Sequence, residues 1–276
     1  MVRVKWEGKP RDYALIVALV AVETLIGLAL SAKPHAQLAY IDPGVGAMIV
    51  QAVAAAFFGG LLLVPTYFQE VRGESTLAAG LLVAPQGIGA MLTMPLAGVL
   101  VDKFPVGRIV PFGLVLITIG MFGLAQIEAD TSYTLICGLL FIMGLGMGGT
   151  MMPLFTTALK TLRNHEVARG STLLNITQQI ASSVGVAVIS VTLTNQLKDA
   201  PLALPAIAAQ HDPAVADRLG PLISRGLAQA ADAFATCFGL AAFLVLLTFV
   251  PAFFLPRKRE ESHLLDDEGV PPVVVH

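Results

Sequence analysis

The sequence predicts an all-α polytopic membrane protein with about seven transmembrane helices. Three features of the sequence predict it. Residues of the AVILMFWYC set make up 55% of the 276, and charged residues only 13%, against about a quarter in a soluble domain. The charges are confined to short gaps. The uncharged runs between them cover 43–69, 75–101, 109–127, 131–159, 170–197 and 233–256, each longer than the roughly 18 apolar residues that mark a bilayer-crossing helix. Barrel strands would show as alternating segments of about ten residues, and no such segments occur. A net charge of −2 gives no basis for a nucleic-acid partner.

The chain reads in order as follows. Residues 13–31 form one possible span, interrupted by Glu23 and preceded by Arg3, Lys5, Lys9 and Arg11. That charge pattern also fits a secretory signal, but the apolar run exceeds the usual 7–15 residues. The uncharged runs place six more helices near 44–67, 77–100, 109–127, 133–158, 172–196 and 233–255. Each must satisfy its backbone internally, which in hydrocarbon means a helix. The division expected is an N-terminal segment 1–43, a helical domain 44–255 and a polar, disordered tail 256–276. The one long loop, 198–231, holds Pro201, Pro205, Pro213 and Pro221. Within it, 214–231 is expected as an amphipathic helix on the outer face.

Lys and Arg in short loops mark the cytoplasmic side. One side carries Lys33, Lys103, Arg108, Lys160, Arg163, Arg169 and Arg257 to Arg259; the other carries Arg72, Lys198, Arg218 and Arg225. The 102–108 loop and the C-terminus are therefore expected in the cytoplasm. The four basic residues before the first span break this bias when they are counted.

Polar groups inside hydrocarbon are costly unless they face protein or water, so they are the functional candidates. Asn175, Gln178, Gln179 and Ser182 lie at i, i+3, i+4 and i+7, on one helical face. That stripe reads either as the lining of a wet cavity or as glue between helices. Gln51 and Gln86 are further uncharged polar groups within spans. The run Gly144-Leu-Gly-Met-Gly-Gly-Thr-Met-Met-Pro153 satisfies G-x-G-x-x-G, but it lacks the strand and open loop that a dinucleotide site needs. Gly144 and Gly148 form a G-x-x-x-G pair suited to close helix contact. Met147 and Met151, beside Thr150, offer soft surface for varied apolar ligands or simply fill space. Glu23 is the sole mid-span acid and so the weak candidate for a proton site. Neither Cys137 nor Cys237 lies in a disulfide or metal-ligand pattern. No catalytic triad, paired acids or cofactor motif occurs, so no enzyme, metal or cofactor is expected.

Gly98-Val-Leu-Val-Asp102-Lys103-Phe-Pro-Val-Gly107-Arg108 resembles the cytoplasmic loop signature of the major facilitator superfamily, with its glycine two residues late. Three further stretches are similar to the 14-helix drug:proton antiporters of EmrB/QacA type. They are Tyr67-Phe-Gln-Glu-Val-Arg-Gly73 with Ala79 to Gly87, Gly144 to Gly148, and Gly170 to Asn175 with Gly185-Val-Ala187. The resemblance implies that 44–255 is the C-terminal six-helix bundle of such a transporter. It implies a bacterial inner-membrane, proton-coupled exporter of lipophilic or cationic drugs, working by alternating access and here a half or truncated molecule. A missing N-terminal half or a second copy would complete it. By the same resemblance, Gln51, Gln86, Met147, Thr150, Met151 and the Asn175 stripe face the substrate cavity. Gly98, Asp102, Lys103, Gly107 and Arg108 would form the loop that switches between states, with Asp102 pairing across helix ends. The rival reading is a non-transporting scaffold or a seven-helix receptor or sensor.

Overall fold

The structure is a computed structural model that describes residues 60–160 and 164–252. The expected 13–31 span, Glu23, Gln51 and the C-terminal tail lie outside the described residues. The described residues form helices joined by short turns. Helix α1 covers 60–70. It is followed by α2 (Thr76–Lys103), α3 (Val106–Leu124), α4 (Tyr133–Lys160) and α5 (Asn164–Asp199). Then come α6 (Ala203–His211), α7 (Pro213–Leu219), α8 (Leu222–Leu247) and the short α9 (Phe249–Ala252). Five of them, α2, α3, α4, α5 and α8, are long and apolar enough to cross a membrane.

Helix ends follow local chemistry. Ser75 caps α2 by accepting from the Ala78 amide through its side chain. The α1–α2 turn needs Gly73, whose φ of 66° lies in the left-handed region that favours glycine. Helices α2 and α3 are separated only by Phe104 and Pro105, both extended. Pro105 fixes its own φ and starts α3 where a missing N–H costs nothing. Prolines also lie inside helices, at Pro85 and Pro95 of α2, Pro111 of α3 and Pro153 of α4. Each removes one backbone donor from its helix.

Packing between spans uses glycine on two faces of α4. A Cβ on Gly144 would collide with the Gln86 carbonyl of α2, and one on Gly148 with Thr93. On the opposite face, a Cβ on Gly146 would lie 2.5 Å from the Gly113 carbonyl of α3. Helix α4 is thus threaded between α2 and α3 with backbones nearly touching, the packing by which small residues associate helices in lipid. Helix α8 packs on α3, α5 and α6. Helix α1 lies among them, with Tyr67 edge-on to Phe234 at 5.7 Å between ring centroids. Tyr67, Phe68, Phe234 and Phe238 are fully buried.

The segment 198–231 is not an extended loop. It folds as α6, α7 and the first turns of α8, which begins at Leu222, eleven residues before the uncharged run. The amphipathic stretch expected over 214–231 is divided at Gly220, whose φ is 46°. Its first part is α7, which has no buried residue, and its second part is the start of α8. Helix α8 stops at Leu247, helix resumes as α9 after Thr248, and the expected end of the span at 255 lies outside the described residues. The charges Arg225 and Asp232 hid this helix from a reading based on uncharged runs.

Candidate functional site

The two ends of the bundle differ. At one end the α1–α2 turn, the α3–α4 turn and α6 meet. The Tyr67 hydroxyl donates to the Glu128 carbonyl at 2.7 Å, and the Gln210 amide to the Val71 carbonyl at 2.7 Å. Arg72 lies over the Tyr133 ring, 4.4 Å from its centroid, and donates to the Tyr133 hydroxyl and the Ala129 carbonyl. Tyr133 in turn donates to the Glu74 carboxylate at 2.7 Å. The motif 67–73 is therefore a clasp that ties three connections together. Reading the sequence for intramembrane polar groups passed over it, because its residues belong to separate turns. At the opposite end lie the α2–α3 turn, the end of α4 and the start of α5.

The expected polar stripe lies on α5. Asn175 and Gln179 are exposed, and Gln178 and Ser182 are half-buried. The Ser182 hydroxyl donates back to the Gln179 carbonyl at 2.9 Å, as the adjacent Ser183 hydroxyl does at 2.8 Å. With 36 residues, α5 is about 54 Å long at 1.5 Å per residue, well beyond the roughly 30 Å of a hydrocarbon core. The uncharged stretch of α5 is 170–197, and Asn175, Gln178, Gln179 and Ser182 all lie within its first half, the half nearer the α2–α3 turn.

The other candidates are placed differently. Thr150 is fully buried; its hydroxyl donates to the Gly146 carbonyl at 2.8 Å and lies where a Cβ on Gly113 would fall. Met151 is buried and Met147 half-buried. These side chains pack within the bundle because α4 uses opposite faces against α2 and α3, and the structure does not bring them together with the α5 stripe on one open surface. Gln86 is 4% exposed, and neither atom of its side-chain amide has a hydrogen-bond partner in the protein. Its backbone carbonyl lies against Gly144 of α4, and its side chain is buried rather than on an open wall.

In the α2–α3 turn, Asp102 and Lys103 end α2 and are exposed, as is Arg108 in the first turn of α3. The Arg108 amide donates to the Pro105 carbonyl at 2.9 Å. Gly107 is half-buried, and a Cβ on Gly98 would meet nothing within 4 Å. The inserted Phe104 and Pro105 explain the late glycine: they make the whole connection, and Gly107 belongs to the helix after it.

The covering of the spans is uneven. Only 17% of the most apolar stretch of α2 and 22% of that of α5 is buried, against 44% for α3 and α4 and 50% for α8. Among the described residues, no group of three or more His, Cys, Asp or Glu could hold a metal.

The family model of the Major Facilitator Superfamily matches residues 10–186. The "Multidrug resistance protein B homolog" of Mycobacterium tuberculosis is 38% identical over 232 residues, which cover 78% of this chain and 42% of that protein. The "Multidrug export protein EmrB" of Escherichia coli is 28% identical over 153 residues, covering 55% of this chain and 30% of its own. The "Lincomycin resistance protein LmrB" of Listeria innocua is 30% identical over 128 residues, covering 46% and 27%. The matched stretches cover less than half of each of these relatives.

Proposed function

The chain belongs to the major facilitator superfamily, and from that membership we propose that it is part of a proton-coupled multidrug exporter. It is a multi-pass membrane protein of a transporter family. In this reading it supplies one wall of the cavity through which lipophilic or cationic drugs leave a bacterial cell. The α2–α3 turn and the C-terminus are on the cytoplasmic side, and transport proceeds by rocking against a partner half. The partner is the missing N-terminal half or a second copy of the chain. The names of the relatives, which speak of drug resistance and export, weigh against a scaffold or a receptor.

The observation that carries the reading is the exposure of Asn175 and Gln179 on α5, a helix among the least covered of the spans. An amide within hydrocarbon favours water or protein over lipid. A cavity wall supplies both, and α5 carries its stripe in the half of the span on the cytoplasmic side, from which an exporter takes up its cargo. Asn175, Gln178, Gln179 and Ser182 then give the drug its few adaptable polar contacts, within mostly apolar surroundings. Asp102, Lys103 and Arg108 act as the state-dependent contact of the α2–α3 turn, and Glu23 is the candidate for proton coupling.

Binding of a fluorescent lipophilic cation to the purified chain tests the wall directly. Asn175→Ala and Gln179→Ala should each raise Kd about threefold, since an intramembrane hydrogen bond contributes roughly 0.6 kcal/mol. Unchanged Kd in the double variant would remove the stripe from the site.

A further inference from the structure

The least explained group in the protein is the amide of Gln86. It lies on α2 about 5 Å from the middle of the helix at 1.5 Å per residue, far from either membrane surface. It is 4% exposed, and its nitrogen and oxygen are both unpartnered. A buried amide with neither atom satisfied opposes the packing that buries it, and lipid offers it no relief. Leucine or methionine would fill the same volume without that penalty.

Three further features show where the opposition acts. Gln86 lies at the crossing of α2 with α4, where a Cβ on Gly144 would collide with its carbonyl. The same crossing brings Gly89 against the Phe141 carbonyl, where a Cβ would come within 2.5 Å, and Gly148 against Thr93. The interface is smooth backbone, with little side-chain interdigitation to fix its register. The preceding residue is Pro85, which removes the donor that would bond the Leu81 carbonyl and weakens the helix one turn from Gln86. The other side of α2 is uncovered: Leu81, Ile88 and Met91 are exposed, and a Cβ on Gly80 or Gly87 would meet nothing within 4 Å. Helix α2 is therefore held on one face only, through a smooth interface, beside a proline and against an unsatisfied amide.

We propose that Gln86 is a positioning residue that biases α2 between two packings on α4: the closed one described here, and a parted one in which its amide meets water or a polar group. The bias follows from the amide itself, since only the parted state relieves it. The role assigned to this motion rests on the transport reading, but its existence does not.

Thiol labelling tests it. In a chain with Cys137→Ala and Cys237→Ala and with Gln86 retained, single cysteines are introduced as Ala97→Cys, Ala241→Cys and Ser224→Cys. Ala97 is buried on α2 one turn beyond Thr93, on the face turned to α4, Ala241 is fully buried on α8, and Ser224 is exposed near the start of α8. N-ethylmaleimide reacts with thiolate, and so only where water reaches the sulfur. With the parted state populated at about 0.1–10%, A97C should react at a comparable fraction of the S224C rate, while A241C stays unreacted, and adding Gln86→Leu should slow A97C labelling. A97C as inert as A241C, with S224C labelled normally, would overturn the proposal.

Gln86→Leu gives a second readout in the otherwise unaltered chain. It should raise the Tm of the purified protein, because it removes the unpaired groups from the closed packing. A lowered Tm would show that the amide stabilises that packing and would equally overturn the proposal. Neither measurement requires drug export, so failure of the exporter reading and failure of this one are separable.

Discussion

Gly144 shows how a single residue's chemistry becomes architecture. Its place in a G-x-x-x-G pair was legible in the sequence, and so was the expectation of close helix contact. The partner was not legible. Local spacing does not reveal that Gly144 and Gly148 meet α2 while Gly146 meets α3, because that depends on how α4 threads between elements distant in sequence. The same limit applies to Thr150, which the resemblance assigned to the cavity: its hydroxyl lies where a Cβ on Gly113 of α3 would fall, a contact that no local spacing reveals. Gly144→Val should force α2 from α4 and destabilise the protein by about 1–3 kcal/mol or more, the usual cost of overpacking. The fall in Tm of purified protein checks this. Gly80→Val, on the uncovered side of α2, should cost far less.

The spans themselves were largely legible, because an uncharged run of bilayer length forms a helix wherever it lies in hydrocarbon. The start of α2 at Thr76 and that of α4 at Tyr133 fall within one residue of the expected positions. The starts of α5 and α8 do not. Both helices extend through charged residues into the aqueous margin, where absence of charge is no longer the criterion for helix. Helix α6 was invisible for a related reason: it is short and gains its stability from tertiary contacts. A Cβ on Gly226 of α8 would lie against Ala206 and the Leu202 carbonyl. The Gln229 carboxamide accepts from the Leu202 amide at 3.1 Å, and Gln210 reaches the Val71 carbonyl. This makes 198–221 a strap joining α8 to the α1–α2 turn. Gln210→Ala should cost about 1 kcal/mol, the net contribution of one such bond. It should also speed proteolysis within 200–221, as followed by mass spectrometry of the fragments.

At the scale of the molecule, the described helices are unevenly covered. Helix α3 packs on both α4 and α8, and Tyr67 and Phe234 meet in the aromatic centre, while α2 and α5 remain largely uncovered. Fold class and family were legible, since both rest on runs and motifs contiguous in the sequence. The arrangement of the cavity wall was less so, because it depends on which helix faces the structure leaves open. Two poorly covered spans and a match that covers 42% of a relative fit one wall of a larger transporter. The most direct measurement is energised efflux of a fluorescent lipophilic cation from cells making this chain, alone and together with an N-terminal half. A protonophore serves as the control. The account predicts protonophore-sensitive efflux once the cavity is completed by either partner, and its loss when Asn175→Ala and Gln179→Ala are combined. Efflux that stays at background in both cases, with the chain correctly inserted in the membrane, would contradict it.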